Sequence, residues 1–521
     1  LVRFIGERQV LIVLDNCEHL LDAPSSLTAE LLAACPKLQV LATSRESTGV
    51  HGEVTFQVPS LSLADEAIEL FADRARRVRP DFAVTDDNAA TVTEICRRLD
   101  GMPLAIELAA ARVRALSLEE IVGSLHDRFR LLTGGARTAV RRQQTLRASV
   151  DWSHALLTET ERVLFRRLAV FLGGFDLDAA QAVAGDAEVE RYQILDQLAL
   201  LVDKSLVVAE NTRGRTRYRL LETVRQYAQE KLGEAGEAEA VRTRHRDHYT
   251  AMAAMLDTPA RTDYAERVEQ ADEEMDNLRG AFGWSIETGG SGRALELASS
   301  LMPLWLPRGR IQEGLAWFGV VLARGNSPLD ELASHIRARV LADKVVLDAW
   351  VNTYDMEHAE QALAIARELD DPALLARALT ACASAAVYDA EVAPRYFAEA
   401  IRLTRTLEDP WRLSQILAQQ AQAALVTGDT RALRASAEEG REIAGAVGDR
   451  FGSRQCGWRL ATAKVVLGDL TGGVALLREV LAESEAEHDG ISRVTALLIL
   501  PQALALLGDA SSALAAAEGA I

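Results

Sequence analysis

The chain has 521 residues, of which 49% are hydrophobic and only 5% aromatic, and it carries a formal net charge of −19 with a pI near 5.1. This length allows three or four domains, and the composition favours helix-on-helix packing over sheets. The acidic balance argues against a general affinity of the molecule for nucleic acid or anionic lipid.

The cysteines and the apolar runs indicate the cellular compartment. Five cysteines lie far apart without a CxxC pair, which predicts reduced thiols rather than a disulfide framework. No apolar run approaches the ~18–20 residues of a membrane span, and no signal peptide opens the sequence. We therefore expect a cytoplasmic protein with no membrane contact. Because the first residue is Leu1 rather than methionine, we also expect a piece of a longer or incompletely recorded chain.

The first predicted elements form a strand–helix–strand unit. Continuous apolar residues over 10–14 predict a strand that is buried on both faces, followed by a helix over 24–34. A second buried strand is expected over 38–46. This spacing predicts a parallel βαβ unit whose strands end in polar residues, at the edge where open α/β sheets bind ligands.

A carboxylate, Asp15, directly follows the first strand. The Walker B acid of P-loop NTPases stands at this place and holds Mg²⁺, usually through the water shell of the ion. Thr43, Ser44 and Arg45 end the neighbouring strand, where a guanidinium can contact a γ-phosphate through two hydrogen bonds. Alternatively, Asp15 and Asn16 only form a turn and Arg45 is solvated. The two strand ends alone do not separate these interpretations.

Three motifs occur in a fixed order: LIVLDNCEHL at 11–20, LATSRE at 41–46 and GMPLAIELAA at 101–110. In the third, Gly101 suits a left-handed helix stop and Pro103 suits the first turn of the next helix. The set resembles the NB-ARC-like class of signal-transduction ATPases with numerous domains (STAND), and in particular large actinobacterial regulators of the predicted-ATPase and LuxR type. The resemblance covers residues 10–232 with ordered motifs and the helical remainder more loosely.

The resemblance implies a nucleotide site with ATP or ADP and Mg²⁺ as cofactors of the full-length protein. Asp15 would be the Walker B acid, Arg45 the sensor arginine, and Pro103 the proline that packs on adenine. Asn16 stands where many P-loop enzymes carry a catalytic glutamate, which fits weak hydrolysis. Glu18 is a candidate substitute base.

Two features depart from the family pattern. No GxxxxGK[ST] motif occurs in the chain, so the backbone cradle and the lysine that bind the β- and γ-phosphates are missing. In the family this loop precedes the Walker B strand, so we expect it upstream of Leu1. The nucleotide-sensing MHD triplet aligns with residues 220–222, where Leu221 replaces a histidine and cannot donate its hydrogen bond. We therefore expect no bound nucleotide and no ATPase activity in this chain alone.

The predicted fold class is mostly α, with four domains in order. Residues 1–60 form a partial P-loop α/β half-domain, and residues 61–135 form a helical bundle that carries the GMP motif. Residues 136–235 form a winged-helix domain, because helices are followed by a short hairpin. Residues 240–521 form a tetratricopeptide-like (TPR-like) α-solenoid.

The predicted wing carries alternating arginines around a turn at Gly214. Arg213, Arg215, Arg217 and Arg219 would lie on one face of a strand. They could bind DNA phosphates, pair with acidic residues of a neighbouring domain or sit in water. In the family this module usually works as an internal clamp.

The second half repeats with a period of 40 residues. Gly-Asp turns recur at Gly428, Gly468 and Gly508, and interleaved aspartates recur at Asp409, Asp449 and Asp489. Glycine suits a helix stop and aspartate the next helix cap, so each unit is predicted to be a helix pair. Five tryptophans are either surface anchors for a partner or interhelical packing: Trp305, Trp317, Trp350, Trp411 and Trp458.

Three functions remain open. The favoured one is a cytosolic ATP-dependent signalling switch whose solenoid binds a protein or small-molecule inducer, with self-association on activation as a further partner hypothesis. The second is a transcriptional regulator that contacts DNA only through a domain outside this chain. The third is a degenerate scaffold or adaptor without ATPase activity.

Overall fold

The computed structural model describes residues 1–14, 17, 22–44, 49–56, 58–125, 146–185, 189–204, 206–212, 214–259, 263–322 and 334–518. By its internal contacts the chain divides into two compact units, Leu1–His245 and Arg246–Ile521. The three boundaries between the four predicted domains stay predictions, and the one near residue 135 lies outside the described residues.

Among its described residues, the first unit is mainly helical with four short strands. Its elements are α1 (Val2–Ile5), β1 (Val10–Leu14), α2 (Asp22–Ala34), β2 (Leu38–Ala42), α3 (Glu66–Val78), α4 (Ala89–Arg98), α5 (Pro103–Ala110), α6 (Leu118–Ser124), α7 (Leu146–Ala155), α8 (Glu159–Arg167), α9 (Leu177–Ala184), α10 (Arg191–Asp203), β3 (Val208–Thr212), β4 (Arg215–Arg219) and α11 (Glu222–Glu234). Short 3₁₀ turns follow α5 and α8.

The predicted βαβ unit is present, with β1 and β2 parallel and in register from Val10–Leu38 to Leu14–Ala42. Helix α2 covers one face of this two-stranded sheet, where Leu31 is buried. The prediction that β1 is buried on both faces is wrong, because Leu11 and Val13 on its other face are 58% and 59% exposed. A continuous apolar run is typical of a strand covered on both sides, but the described part of the chain supplies cover on one side only. The second strand is also shorter than predicted and ends at residue 42.

Helices α3 to α6 form the predicted bundle. Phe71 on α3 and Val92 and Ile95 on α4 are fully buried, as their helical spacing predicted. Helix α6 begins with a capping box, in which the Ser117 hydroxyl accepts a hydrogen bond from the backbone N–H of Glu120 and the Glu120 side chain accepts one from Ser117.

Helices α8 to α10, the hairpin and α11 form the predicted winged helix. Strands β3 and β4 pair antiparallel, with Val208 opposite Arg219 and Thr212 opposite Arg215, and Gly214 in the turn has φ +79°. A single bridge from Phe175 to Tyr218 joins the segment before α9 to the hairpin. The mostly α fold class is confirmed.

A buried ion pair ties the first helix of this domain to the end of α10. Lys204 Nζ lies 2.8 Å from Glu161 Oε1, and the two side chains are only 8% and 2% exposed. Glu161 also belongs to the capping box at Thr158, which begins α8. The pair therefore fixes α8 and α10 at the same point.

The second unit consists of helices alone among the described residues. They are α12 (Ala238–Ala254, which contains the point of division), α13 (Tyr264–Glu273), α14 (Met275–Glu287), α15 (Ser291–Ser300), α16 (Met302–Trp305), α17 (Ile311–Leu322), α18 (Ser334–Ala349), α19 (Met356–Leu369), α20 (Pro372–Ala385), α21 (Ala393–Thr406), α22 (Pro410–Thr427), α23 (Thr430–Val447), α24 (Arg450–Val466), α25 (Leu470–Ala486), α26 (Gly490–Leu507) and α27 (Ala510–Glu518).

The predicted repeat is confirmed from α22 onward, where each helix packs on its sequence neighbour to make a TPR-like solenoid. The Gly-Asp turns have left-handed glycines, with φ between +79° and +90° at Gly428, Gly468 and Gly508. The interleaved aspartates cap the next helices: the carboxylate of Asp409, Asp449 or Asp489 accepts a hydrogen bond from the N–H three residues on.

One described helix differs from the expectation about apolar runs. Helix α26 is 18 residues long and apolar enough to cross a membrane by length and composition alone. However, Ala496, Leu500 and Ala503 pack in the core shared with the neighbouring helices, and the helix also carries Arg493 and Gln502. A core helix of a solenoid meets the same criterion, so this is weak evidence for a membrane span.

The left-handed position before each interleaved cap provides a matched stability test. Gly448 and His488 occupy this position in successive repeats, with φ +81° and +55°. A residue with a Cβ is strained there by about 1–2 kcal/mol, which glycine avoids. In urea titrations, we expect His488→Gly to raise the unfolding midpoint and to increase the free energy of unfolding by about 0.5–1 kcal/mol. Gly448→Ala is expected to lower the midpoint and to decrease the free energy of unfolding by about 1 kcal/mol. A lowered midpoint for His488→Gly would contradict this explanation.

The buried Lys204–Glu161 pair gives a second prediction. Lys204→Met leaves a buried carboxylate without its cation and is expected to cost about 3–5 kcal/mol, whereas the double change Lys204→Met, Glu161→Gln costs less than the sum of the single changes. The exposed pair Arg191–Asp178 is the control, and Arg191→Met is expected to cost less than about 1 kcal/mol. Equal costs in a denaturant titration for Lys204→Met and Arg191→Met would show that burial does not matter here.

Candidate functional site

The carboxyl ends of β1 and β2 lie side by side. Thr43 N–H donates to the carbonyl of Leu14 at 2.8 Å, and Cys17 N–H donates to the carbonyl of Thr43 at 2.9 Å. The chain after one strand is therefore hydrogen-bonded to the chain after the other. Thr43 and Ser44 are exposed at this edge.

Most predicted nucleotide-site residues lie outside the described residues: Asp15, Asn16, Glu18 and Arg45. Their roles, including Mg²⁺ binding through Asp15, stay predictions. Within the described part of the chain, no group of three or more His, Cys, Asp or Glu residues is arranged to hold a metal ion.

The GMPLA turn has the predicted backbone. Gly101 has φ +64°, and a Cβ on it would lie 2.4 Å from the carbonyl oxygen of Leu61, so both conformation and space require glycine. Pro103 begins α5 at an exposed position, with Met102 as the residue before the helix. An exposed proline ring is accessible to a planar ligand, while its contact with adenine stays a prediction.

A contact that the sequence did not reveal joins this turn to the winged helix. Asp100, itself left-handed with φ +54°, accepts a hydrogen bond from the backbone N–H of Glu222 at 2.7 Å through Oδ2. Glu222 is the first residue of α11, and Leu221 before it holds the cap position. The turn that carries Pro103 is thus bonded to the start of α11, the segment that was predicted to align with the family's nucleotide-sensing triplet. The only sequence signal was a carboxylate directly before Gly101.

The wing arginines do not form a free basic stripe. Arg213 lies outside the described residues, Arg215 is exposed, and Arg219 Nε donates to Glu210 Oε1 across the hairpin at 2.8 Å. The Arg217 side chain is half-buried and lies against Gly174. Arg215, Arg217 and Arg219 alternate along β4 and therefore share one face, as predicted, but the acidic partner of Arg219 and the partial burial of Arg217 leave no free basic stripe there.

Helix α10 precedes the wing and corresponds to the groove-reading helix of helix-turn-helix modules. Apart from Arg191, its exposed side chains are apolar, neutral polar or acidic: Tyr192, Gln193, Leu195, Asp196, Ala199, Leu200 and Asp203. The basic residue at its start, Arg191, pairs with Asp178 at 2.8 Å. Since DNA binding depends on neutralising phosphates with basic side chains, this surface is unsuited to the major groove.

The second unit contains a groove of about 330 Å³ on the face made by alternate helices. Residues from α18, α20, α22, α24 and α26 line it. On α22 the lining follows helical spacing, with Gln415, Gln419, Gln422 and Val426 on one side. This polar amide stripe within an alanine-rich helix is the feature of the sequence that marks the groove-lining face.

An arginine is buried in the wall of this groove without an acidic partner in the described part of the chain. Arg459 is 3% exposed; its Nε donates to Gln422 Oε1 at 3.2 Å, and its Nη1 donates to the Gln455 backbone carbonyl at 2.6 Å. Its guanidinium carbon lies 4.1 Å from the ring centre of Trp458. Burial lowers the pKa of Arg459 to about 10.

The five tryptophans divide between the core and this groove. Trp305 and Trp317 are packed in the core, where their rings lie 5.2 Å apart. Trp350 and Trp458 line the groove, and Trp411 Nε1 donates to Asp449 Oδ2 at 3.1 Å. Two of the five candidates are therefore placed to contact a ligand.

Asp449 is a buried helix cap whose pKa is raised. It accepts hydrogen bonds from Gly452 N–H at 2.8 Å and Gln415 Nε2 at 2.7 Å in addition to Trp411. Burial at 2% exposure raises its pKa to about 6, although its hydrogen bonds and the charge of Arg454 act in the opposite direction.

Comparisons with known proteins agree with these observations. Residues 157–233 match the family described as winged helix-turn-helix domain. A protein of Mycobacterium tuberculosis, provisionally named an HTH-type transcriptional regulator, is 56% identical over 525 aligned positions that cover 100% of this chain and 59% of that protein. An uncharacterised protein of Mycobacterium bovis is 61% identical over 249 residues, which cover 48% of this chain and 63% of that protein. The chain thus spans less than two thirds of the length of these relatives.

Among solved structures, a STAND protein with a tetratricopeptide repeat sensor from Pyrococcus horikoshii aligns over 97% of this chain and 73% of its own, with TM-score 0.45 and 14% identity. The predicted winged helix is confirmed by the family match, and the predicted likeness to large actinobacterial regulators is confirmed by the mycobacterial relative.

The acidity of Asp449 generates a pH prediction. Because its folded pKa lies above the unfolded value of 3.8, folding takes up a proton, and this contribution to stability is present at low pH and lost as the pH rises through about 6. As the pH rises from 4 to 7, we expect the free energy of unfolding of Asp449→Asn to increase relative to that of the wild type, by up to roughly 3 kcal/mol. Thermal melts at each pH measure this difference.

The exposed cap Asp469 serves as the matched control. It caps α25 in the Gly-Asp turn at Gly468. The hydrogen bonds that its carboxylate accepts from Lys464 and from the backbone lower its pKa. Asp469→Asn should therefore show no relative gain with rising pH. A gain of the same size in both variants would assign the pH effect to something other than buried Asp449.

Proposed function

We propose that this chain is the switch and sensor part of a cytoplasmic, nucleotide-dependent regulator of the STAND class. The observation that carries the proposal is the hydrogen bond from Glu222 N–H to Asp100. It links the GMPLA turn, which would contact adenine through Pro103, to the first residue of α11. A change in the turn on nucleotide exchange would be transmitted to the winged helix through this bond, because Asp100 directly precedes Gly101.

The proposed cofactors are ATP or ADP with Mg²⁺. In the full-length protein Asp15 would hold Mg²⁺ through water, Arg45 would contact the γ-phosphate, and Pro103 would pack on adenine. The side-by-side carboxyl ends of β1 and β2, with exposed Thr43 and Ser44, suit oxygen-rich ligands such as a hydrated Mg²⁺ ion. ATP and ADP differ by the charge of the γ-phosphate, so each nucleotide would favour a different arrangement of the residues around the phosphates.

The proposed sensor is the solenoid. Its alternate helices expose a groove with aromatic and amide side chains, which suits a protein segment or a small-molecule inducer. Self-association on activation is a further proposal, in which the solenoid or the exposed face of β1 would contact a second copy.

A transcriptional role is the second candidate, favoured by the name of the mycobacterial relative, an HTH-type transcriptional regulator. The acidic and apolar outer face of α10 and the Arg219–Glu210 pair argue that the winged helix of this chain is not the DNA-reading module. DNA contact would then belong to a domain outside this chain, and the winged helix would serve as an internal clamp. A degenerate adaptor is the third candidate, and the nucleotide titration separates it from the other two.

Calorimetric titration with Mg·ATP tests the switch. The chain of 521 residues lacks a GxxxxGK[ST] loop, so we expect no binding in the micromolar range, and a micromolar Kd would contradict the assignment of the missing phosphate ligands. A chain extended to the length of the relatives is expected to bind Mg·ATP at micromolar Kd, and absence of binding there would favour the adaptor.

The same extended chain tests the role of Asp15. Asp15→Ala should reduce the dependence of ATP binding on Mg²⁺ about tenfold or more, because a carboxylate that orders the hydrated ion is lost. Glu30→Ala removes an acid from the exposed side of α2 and is the charge-matched control. If both variants keep the metal dependence of the parent, Asp15 is not the Walker B acid.

A further inference from the structure

We propose that the solenoid groove binds a small organic anion, with its carboxylate or phosphate on Arg459 and its planar or apolar body against Trp350 and Trp458. This inference rests on the proposed sensor role of the solenoid and names the chemical class of its inducer. It is carried by the charge of the groove wall, by the hydrogen bonds left open there and by the size of the groove.

Arg459 differs from the other buried arginines of the described chain in having no acidic partner among the described residues. Arg377 pairs with Asp343 at 2.7 Å and with Asp257, and Arg454 pairs with Asp489 at 2.8 Å. Arg459 contacts only neutral oxygens among the described residues. A buried cation without an anion is costly unless something supplies the opposite charge. A bound anion would supply it.

The rest of the groove wall contains no competing charge. Of the described residues that line it, Arg459 is the only one with an ionisable acidic or basic side chain of the Asp, Glu, Lys, Arg or His type. This neutrality is notable in a chain with a net charge of −19. A cationic or zwitterionic ligand would find no carboxylate in this wall, whereas an anion meets one desolvated guanidinium.

The amides beside Arg459 leave hydrogen-bond donors for the ligand. Gln422 uses its carbonyl oxygen for Arg459, and Gln419 uses its carbonyl oxygen for the hydroxyl of Ser384. The Nε2 groups of both amides make no hydrogen bond within the described residues. These N–H donors add to the guanidinium as partners for acidic oxygens.

The size of the groove favours a small molecule over a peptide. A volume of about 330 Å³ lies at the lower end of the range for drug-sized ligand sites. Trp350, Tyr354 and Tyr388 lie along its wall near α18 and α20, and Trp458 lies beside Arg459. One cation in a wall that also carries aromatic side chains suits a compact ligand with an apolar body and a single acidic group.

Fluorescence titration with two related probes tests the proposal. The anionic probe 8-anilinonaphthalene-1-sulfonate carries an acidic group on an aromatic body, and neutral N-phenyl-1-naphthylamine lacks that group. We expect Arg459→Met to weaken binding of the anionic probe about tenfold or more, because a charge-assisted hydrogen bond is lost. Binding of the neutral probe should change less than about twofold, since the apolar walls remain.

The control is Arg478→Met, which removes an exposed arginine from α25 outside the groove. It should leave the affinity for both probes unchanged. The proposal is overturned if folded Arg459→Met binds the anionic probe like the wild type, or if it loses both probes to the same extent.

A competition on the wild-type protein keeps the proposal testable if Arg459→Met fails to fold. Naphthalene-1-carboxylate should displace the anionic probe at about a tenfold lower concentration than naphthalene-1-carboxamide, which has the same shape without the charge. Equal displacement by both compounds would overturn the proposal. No nucleotide enters these experiments, so their outcome is independent of the Mg·ATP titration.

Discussion

Two capping aspartates of the solenoid, Asp449 and Asp489, each hold two helices, and the arrangement of the groove depends on this double contact. Asp449 begins α24 and accepts a hydrogen bond from Gln415 of α22, while Asp489 begins α26 and accepts one from Arg454 of α24. Each carboxylate satisfies free N–H groups of its own helix and fixes the rotation of the preceding repeat. The rotation of α22 relative to α24 is fixed in this way, and Gln422 comes within hydrogen-bond distance of Arg459.

The first unit uses the same kind of bond for a different purpose. Asp100 reaches across more than a hundred residues of sequence to an N–H at the start of α11, a group that a helix leaves unpaired. Asp100 and Gly101 both have left-handed conformations, which glycine adopts freely and aspartate adopts at some cost in strain. A single charge-assisted hydrogen bond of this type is strong enough to position a helix end and weak enough to be exchanged.

Local patterns predicted elements well where one residue type determines the backbone. The ends of β1, the turn at Gly101, the wing turn at Gly214 and the capped repeats all followed from glycine, aspartate or apolar runs. Burial was harder to predict from the sequence. The apolar run of β1 predicted cover on both faces, but the residues of a strand do not show whether another part of the chain covers them. Features that depend on distant partners were also missed. Arg459 resembles a solvated helix residue in sequence, and its burial arises only from the neighbouring repeats.

The candidate site shows the same division. Pro103 could be placed at the start of a helix from its neighbours alone, whereas its link to Glu222 required the tertiary structure. The alternation of the wing arginines predicted a shared face and left open whether that face meets DNA, acidic residues or water, whereas Glu210 on the partner strand and the partial burial of Arg217 became visible only in the structure. Alternation along a strand predicts which side chains share a face, but opposite charges across the hairpin determine what that face can bind.

The 40-residue spacing of the solenoid has an evolutionary consequence. Successive units carry their own caps, and Gln415 and Arg454 each donate to the cap of the following unit, so a whole unit can be duplicated, lost or exchanged without disturbing the fit of its neighbours. The groove draws its lining from successive units, so such exchanges alter ligand preference one wall segment at a time. A lineage can therefore diversify what it detects while the parts that respond stay unchanged.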